Sequence, residues 1–208
     1  MKRKFILIIG IEICLIFSIV ACSKQTDFDA KSYVQSSLDA YYHGDYKDYA
    51  DLLETSEKDA KKEIEEDFNE SIQKQFDDSD NITDKGIADY AKKLVEVKKL
   101  AKYKVQDEKK DEDGNYTVSV KVEPSDVFQT LQQSSAEVSK EKIVQGMKET
   151  DPGVFASVLT ESVQKSIDKN SYGDSVTVTV KVEKNHSGTY ELSETERSKL
   201  GTAMFPTE

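Results

Sequence analysis

The chain has 208 residues, with 29 Lys and Arg against 40 Asp and Glu, and its formal net charge is −11. This length predicts one or two domains. The acidic balance does not favour nucleic acid as a partner, because a phosphate backbone must be met by clustered Lys and Arg. An acidic domain is also repelled by anionic lipid, so any membrane attachment must come from something other than a basic patch.

Residues 1–21 predict an export signal rather than part of a folded domain. Residues 2–4 are basic, and residues 5–20 form an apolar run broken only by Glu12. This is the layout of a cleaved secretory signal peptide. Ordinary secretion and an uncleaved membrane anchor are the alternatives. The apolar run is short for a membrane span, which needs about 20 residues, and Glu12 weakens it further.

The end of this segment resembles a lipobox, in which an aliphatic residue and small residues precede an obligatory cysteine. The four residues are Ile19, Val20, Ala21 and Cys22. The resemblance implies that the Cys22 thiol receives a diacylglyceryl group and that a dedicated peptidase cuts before it. Two acyl chains anchor a protein more firmly than one, at roughly 0.8 kcal/mol per buried CH₂. We therefore predict a bacterial lipoprotein, anchored through Cys22 at the outer face of the cell membrane.

Residues 22–27 are predicted to form a short tether, and residues 28–208 a single extracytoplasmic domain. Fully extended, the tether spans only about 20 Å, which holds the domain close to the membrane. The removed segment carries a net +2, so the mature chain is at −13. Its one cysteine is Cys22, which excludes an intrachain disulfide. The two histidines, His43 and His186, have no thiol beside them to complete a zinc framework.

Apolar residues at helical spacing predict two helices at the start of the domain. The first covers residues 28–43, where Val34, Leu38 and Tyr41 share one face. Gly44 ends it. A short second helix is predicted over residues 45–53.

The third and fourth helices are predicted from their capping residues. Ser56 with Asp59 resembles a capping box. A narrow apolar stripe follows at a spacing of four on an otherwise charged helix: Ala60, Ile64, Phe68, Ile72 and Phe76. Thr83 or Asp84 caps the fourth helix.

Alternating apolar and polar residues predict two β-hairpins, near residues 103–123 and 174–192. An Asp-Gly pair supplies the turn of the first hairpin. The sequence Thr-Val-Ser-Val-Lys-Val-Glu at 117–123 recurs at 177–183 with one change. A duplicated helix–hairpin unit would explain this repetition. We favour convergence, because any amphipathic strand selects Val alternating with Thr or Lys and the flanking sequences do not match.

Three further helices complete the predicted pattern. Residues 126–148 are interpreted as a helix with weak apolar patterning. Asp151 followed by Pro152 predicts the start of the next helix, since proline is favoured at the first helical position. Ser193 with Glu196 is a second candidate capping box, and it begins a short terminal helix.

These elements predict an α+β fold, with a helical N-terminal half packed on one face of a small antiparallel sheet of two hairpins. The runs at 38–41 and 44–46 resemble small uncharacterised surface lipoproteins of Gram-positive bacteria. That resemblance implies a helix-then-sheet layout similar to cystatin-like or nuclear-transport-factor-like folds. It implies no catalytic residues, and a fold alone does not establish a function.

Two clusters of oxygen-bearing side chains have the short spacing of calcium ligands. Both lack the glycine that a calcium-binding loop needs, so they are interpreted as solvated turns. One cluster consists of Asp77, Asp78 and Asp80, and the other of Asp111, Asp113 and Asn115. Weak divalent-cation binding stays an open alternative. We predict no dedicated metal site and no cofactor.

Five tyrosines fall close together in the first two helices: Tyr33, Tyr41, Tyr42, Tyr46 and Tyr49. Each combines an apolar ring with a polar tip. They could line a ligand pocket between the helices and the sheet, with Tyr41, Tyr46 and Tyr49 as its border. Packing in the core, or at its boundary, is the more common role of such residues.

Three functions remain open from the sequence. We favour a non-catalytic binding or accessory module that meets a protein, a peptide or a cell-wall component, because no phosphate loop, nucleophile elbow or zinc spacing is present. A small-ligand binding protein with a tyrosine-lined pocket is the second. A hydrolase with an unrecognised site is the third, and it predicts that His43 or His186 lies in a cleft within hydrogen-bond reach of a carboxylate.

Overall fold

The computed structural model describes residues 28–76, 82–148, 151, 153–185 and 188–207. The elements of the first half are α1 (Ala30–Leu38), a π-helical turn (Asp39–His43), α2 (Lys47–Leu52), α3 (Glu57–Gln73) and α4 (Asp84–Lys98). The second half contains β1 (Lys102–Lys110), β2 (Tyr116–Glu123), α5 (Leu131–Val144), α6 (Val154–Lys169), β3 (Val176–Lys184), β4 (Tyr190–Leu192) and α7 (Glu194–Met204). The predicted α+β class and the predicted pair of hairpins are confirmed. Within these described ranges, no helix is long and apolar enough to cross a membrane.

The four strands form one antiparallel sheet in the order β1-β2-β3-β4. The two near-identical segments lie side by side in it, so that Val118 faces Val180 and Val120 faces Val178. Because side chains alternate between the faces of a strand, the valines of both segments project together to one side. On that side Val118, Val120 and Val180 are fully buried.

The two edges of the sheet differ. At one edge the pairing of β1 with β2 shifts register between Val105 and Glu108, which marks a β-bulge. At the other edge β4 covers only one end of β3, since it spans three residues. Helix α7 packs beside the rest of β3. There the Glu196 carboxylate accepts a hydrogen bond from the Lys181 backbone N–H at 3.1 Å.

Helix α3 shows how the predicted apolar stripe becomes a packing surface. Ser56 is its N-cap and accepts a hydrogen bond from the Asp59 N–H, as the capping box predicts. Four residues of the predicted stripe are buried, namely Ala60, Ile64, Phe68 and Ile72. The fifth, Phe76, follows the end of the helix and is partly buried against the core. This face joins the core that α1, the π-helical turn and α4 share with the sheet.

The structure departs from the predicted helix boundaries at three points. The first helix is α-helical only to Leu38, and the Gly44 N–H then bonds to the Asp39 carbonyl, which is the longer reach of a π-helix. Helix α5 begins at Leu131 rather than at residue 126, because the Asp126 side chain bonds to Ser171 instead. The N-cap of α6 is Gly153, so the predicted cap at Asp151 is wrong.

Helices α4, α6 and α5 form a layer with α6 in the middle, where it packs against both neighbours. The contact with α4 is very close, because a Cβ placed on Gly86 would lie 2.7 Å from the Ala156 Cβ. The contact with α5 carries ion pairs, including Lys165 with Glu137 at 2.8 Å. The base of this layer is fixed to the sheet by the isolated bridge between Ser125 and Tyr172.

Phe28, the first residue described, lies at the opposite end of the sheet. Its ring stacks on Tyr190 with centroids 4.1 Å apart, and it contacts the edge of Tyr116 at 5.7 Å. Strand β2 starts at Tyr116 and runs towards the base of the helical layer. Phe28 and the base of the helical layer therefore lie at opposite ends of β2.

Candidate functional site

The tyrosines of the first helices are mainly packed inside the domain. Tyr41 and Tyr49 are buried, and Tyr46 is partly exposed beside the core. Tyr41 meets the Tyr42 ring edge-on, with centroids 4.9 Å apart. In the described part of the chain, the buried Tyr42 hydroxyl has no hydrogen-bond partner, and burial raises its pKa well above the ordinary value. The buried rings pack in the core, and a ligand site bordered by Tyr41, Tyr46 and Tyr49 stays a prediction from the sequence.

A lysine is buried against two of the aromatic rings. Lys98, at the end of α4, is 7 % exposed. Its ammonium nitrogen lies 3.7 Å from the centre of the Tyr41 ring and 4.4 Å from that of Phe68. Burial lowers the pKa of Lys98 to about 7, and the charge of Glu65 opposes this only in part. The position of Lys98 follows from the helix, because it is four residues after the buried Leu94.

A polar cluster joins the π-helical turn to the start of β1. The Tyr103 hydroxyl donates to Asp39 Oδ1 at 2.6 Å. The Gln35 amide donates to both oxygens of the same carboxylate at 2.9 Å. Burial raises the pKa of Tyr103 above its ordinary value, and the hydrogen bond to Asp39 raises it further. Tyr103 is therefore a neutral hydrogen-bond donor at physiological pH.

His43 completes this polar cluster. Its Nε2 lies 3.0 Å from the Ala101 carbonyl oxygen, and its Nδ1 lies 3.2 Å from the Tyr103 hydroxyl. The imidazole stacks on the Tyr103 ring with centroids 5.1 Å apart and planes within 10°. The distance from Nδ1 to Asp39 Oδ1 is 3.8 Å, which is beyond direct hydrogen-bond reach. Side-chain atoms of both residues remain open to solvent.

This arrangement bears on the hydrolase hypothesis. His43 has the Asp39 carboxylate nearby, as that hypothesis requires, but the Tyr103 hydroxyl stands between them. Within the described residues, the hydrogen-bond partners of His43 are the Ala101 carbonyl and the Tyr103 hydroxyl. No Ser, Thr or Cys side chain among them is positioned for activation by this imidazole. His186 lies outside the described residues.

The second oxygen-rich cluster is the turn of the first hairpin. The Asp111 carboxylate accepts a hydrogen bond from the Asn115 N–H at 2.9 Å. Gly114 adopts a φ of 84°, which only glycine adopts readily. The carboxylate of Asp111 is thus used by the turn itself. The other acidic cluster, at 77–80, lies outside the described residues.

The proposed leader, the lipobox (Ile19, Val20 and Ala21), the lipidation site Cys22 and the tether also fall outside the described residues. They stay predictions from the sequence.

A groove lies between the N-terminal ends of α4 and α6, with a volume of about 360 Å³. Thr83, Gly86 and Ala156 form part of its wall, and Asp89 and Glu161 bring carboxylates to its rim. The tyrosines of the first helices do not line this groove.

Beside the groove, the end of α5 exposes three large apolar side chains, which we name the apolar tip. Its residues are Ile143 at 60 %, Val144 at 80 % and Met147 at 40 % exposure. It adjoins the groove through Lys142, whose ammonium bonds to Glu161 at 2.5 Å. One feature of the sequence indicated this surface. The apolar residues of the predicted helix at 126–148 follow only a weak pattern, so they do not all lie on one buried face.

Comparisons with known proteins indicate the fold and not the activity. No protein-family model matches the chain, and no curated protein matches its sequence. Among solved structures, the fold is similar to that of a candidate lipoprotein, YcdA, from Bacillus subtilis. The TM-score is 0.59 at 14 % sequence identity. The match covers 84 % of this chain and 55 % of the other, so the chain spans little more than half of that protein's length.

Proposed function

We propose that the protein is a lipid-anchored bacterial surface protein whose domain is a non-catalytic binding module for another protein. Two observations support the anchor. The sequence ends its apolar leader in a lipobox with Cys22. The described fold resembles that of a candidate lipoprotein from a Gram-positive bacterium.

The location of the tether determines which end of the domain is presented outwards. The tether enters at Phe28, which is packed among the aromatic rings at one end of the sheet. Six residues reach only about 20 Å, so this end lies near the membrane. The helical layer that carries the apolar tip joins the sheet at the opposite end of β2, so we expect the tip to be turned away from the membrane.

The apolar tip is the observation that carries the binding role. Val144 and Ile143 are mostly exposed, although most large apolar side chains of the described fold are buried. Contiguous exposed apolar residues rimmed by charge are typical of protein-binding surfaces. Aliphatic side chains offer little to a glycan, which needs hydrogen bonds and flat aromatic surfaces. A protein is therefore the partner class that this surface fits best.

The anchor is tested by replacing Cys22 with Ala in the native bacterium. We expect the wild type to sediment with membranes and the Cys22→Ala variant to leave them, since acyl chains supply the attachment. Mass spectrometry of the wild-type N-terminus should detect a diacylglyceryl cysteine. An unmodified chain that still begins at Met1 would contradict the anchor.

The binding role is tested by placing a photoreactive amino acid at Val144 in the full chain. A matched variant carries it at Lys58, an exposed residue of α3. We expect an adduct with a different protein from position 144 only, and we expect the additional change Ile143→Asp to suppress it. An equal adduct from Lys58, no adduct, or an adduct with the mass of two copies would each refute a specific partner at the apolar tip.

A further inference from the structure

The two near-identical segments of the sheet place a repeated polar pattern on the face away from the core. The segments pair antiparallel, so Thr117 lies beside Lys181, and Lys121 lies beside Thr177. Side chains alternate between the two faces along a strand, and the buried valines between these residues point into the core. The threonines and lysines of both segments therefore project together from the opposite face.

Strand β1 adds one lysine to each of these pairs. Lys109 lies beside Thr117, and Lys104 lies beside Lys121. Two rows that run across the sheet thus each contain two lysines and one threonine, and a row of hydroxyl groups separates them. We name this surface the lysine face, and it consists of Lys104, Lys109, Lys121, Lys181, Thr117, Ser119, Thr177 and Thr179.

The lysine face is open to a partner. Its four lysines are exposed, and so are Thr177 and Thr179. Lys102, on the same side of β1, has the Glu123 carboxylate within 3.8 Å. In the part of the chain that the structure describes, no carboxylate pairs in this way with a lysine of the lysine face. Four positive charges are therefore presented to solvent on a chain whose net charge is −11.

The stability of the sheet does not account for this arrangement. Lys104 lies directly opposite Lys121, and like charges at directly opposed positions destabilise an antiparallel pair. A carboxylate at either position would remove the repulsion, as Glu123 does opposite Lys102. The lysines are instead concentrated on one face, which is typical of a surface that binds anions.

The spacing of the lysines fits a long anion rather than a single small one. Lys109 and Lys181 lie two strands apart, so their backbones are separated by about 10 Å. Along β2, the row that contains Lys121 lies four residues beyond the row that contains Thr117, which is about 13 Å. A small anion cannot contact both rows, whereas a chain with repeated negative charges can.

Carboxylates at the border of the lysine face favour a narrow partner over a flat one. Glu183 lies opposite Glu191 beyond the row of Lys181, and Asp107 lies in the bulge of β1. An anionic membrane laid against this face would meet these carboxylates together with the lysines. A narrow chain that runs along β2 and β3 contacts both rows between them.

The chemistry of the lysine face points to phosphate. Ammonium groups, together with Ser and Thr hydroxyls, are side-chain groups that contact the phosphate oxygens of a polymer backbone. The rings of Tyr103, Tyr116 and Tyr190 pack with the core instead, so no ring of the described strands lies on this face. Single-stranded nucleic acids are bound by stacking of their bases on such rings. A phosphate chain without bases therefore fits this surface best.

We propose that the lysine face binds a linear phosphodiester polymer that carries hydroxyl groups and no nucleobases. The four ammonium groups contact phosphates, and the hydroxyls of the middle row, Ser119 and Thr179, bond to the polymer between them. The acidic remainder of the chain acts weakly on this contact, because charges further away than about 8 Å are largely screened at physiological ionic strength. The surface is separate from the apolar tip, so this inference does not depend on the protein partner proposed above.

The test is calorimetric titration of the full chain, in a neutral detergent, with synthetic poly(glycerol phosphate). We expect saturable binding that weakens as salt is raised. The double change Lys121→Gln and Lys181→Gln should weaken binding at least about tenfold and lower the slope of log affinity against log salt by about two. The matched control is Lys47→Gln with Lys58→Gln, at exposed positions of α2 and α3. It has the same net charge, and its affinity should stay within about twofold of the wild type.

Competition experiments identify the chemistry that the lysine face recognises. Polyglutamate, single-stranded DNA and micelles that contain phosphatidylglycerol are each added at the same concentration of anionic groups. We expect each of them to displace labelled poly(glycerol phosphate) less well than the unlabelled polymer does. Equal displacement by polyglutamate would indicate an acidic protein, by DNA a nucleic acid and by the micelles the membrane, and each of these results would overturn the proposal.

Three other results would overturn it as well. They are no saturable binding, full affinity in the variant with Lys121 and Lys181 changed, and an equal loss of affinity in the matched control. Circular dichroism of each variant confirms that the fold is retained. Ile143→Asp, at the apolar tip, should bind the polymer like the wild type, so failure of the protein-binding proposal and failure of this one are distinguishable.

Discussion

Replacing Lys98 with Met should stabilise the domain at neutral pH and remove a specific part of its pH dependence. Lys98 is buried between the rings of Tyr41 and Phe68, and burial lowers its pKa to about 7. In the unfolded chain its pKa is about 10.4. Between these values the unfolded state binds more protons than the folded state. The free energy of unfolding must therefore rise with pH in this window.

The magnitude follows from the size of the window. One pKa unit corresponds to 1.36 kcal/mol, so the rise from pH 7 to 9.5 is at most roughly 3 kcal/mol. Attraction of the ammonium to the two ring faces stabilises the charged form by about 2 kcal/mol, which reduces the rise. We expect about 1–3 kcal/mol. Well below pH 7, Lys98 is protonated in both the folded and the unfolded chain, and its contribution to the free energy of unfolding no longer changes with pH.

Urea denaturation of the full chain in detergent, at half-unit steps from pH 7 to 9.5, measures the effect. The upper limit of pH 9.5 avoids ionisation of buried tyrosines such as Tyr90. Burial raises the pKa of Tyr90 to about 12, so its stabilising contribution is lost only at higher pH, as it ionises. The free energy of unfolding of the Lys98→Met variant should be constant across this pH window, and at pH 7 it should exceed that of the wild type by about 1–3 kcal/mol. A flat wild-type curve, or an equal slope in both proteins, would refute the buried-ammonium argument.

Two further changes test the packing. Tyr42→Phe removes a buried hydroxyl without a hydrogen-bond partner in the described structure, so it should stabilise the fold by about 1 kcal/mol in urea denaturation; destabilisation would mean that the hydroxyl is satisfied. Gly86→Val places a side chain against Ala156, which a Cβ at Gly86 would already approach to 2.7 Å, and should cost about 2 kcal/mol. Ala156→Gly in the same chain should recover part of that loss, and no recovery would locate the strain elsewhere.

Local patterns predicted most of the secondary structure. The stripe from Ala60 to Ile72 forms the buried face of α3, because a spacing of four is fixed by the helix itself. The alternating valines predicted two strands, and the structure adds that the strands are neighbours. The same kind of reasoning missed the π-helical turn, since one extra residue in a turn leaves the apolar spacing almost unchanged.

The polar cluster could not be found in this way. Asp39 and Tyr103 are 64 residues apart, and only the packing of the π-helical turn against the start of β1 brings them together. No pattern in the sequence singled out Lys98, although its place four residues after Leu94 puts it on the buried face of α4. Its burial depends on two rings, Tyr41 and Phe68, that come from other helices. Such contacts between distant segments are absent from a single sequence.

The two edges of the sheet have a consequence for the proposed lipid-anchored protein, which would be crowded with other copies on a membrane surface. A bare sheet edge offers its N–H and C=O groups to any neighbouring chain and so promotes aggregation. Here the bulge in β1 interrupts one edge, and Glu108 beyond it accepts the Lys31 backbone N–H of α1. At the other edge the Glu196 carboxylate accepts a hydrogen bond from the Lys181 backbone N–H. If the proposed lipid anchor holds a second copy nearby, that copy meets few free backbone groups at these two edges, and lateral crowding does not favour strand exchange.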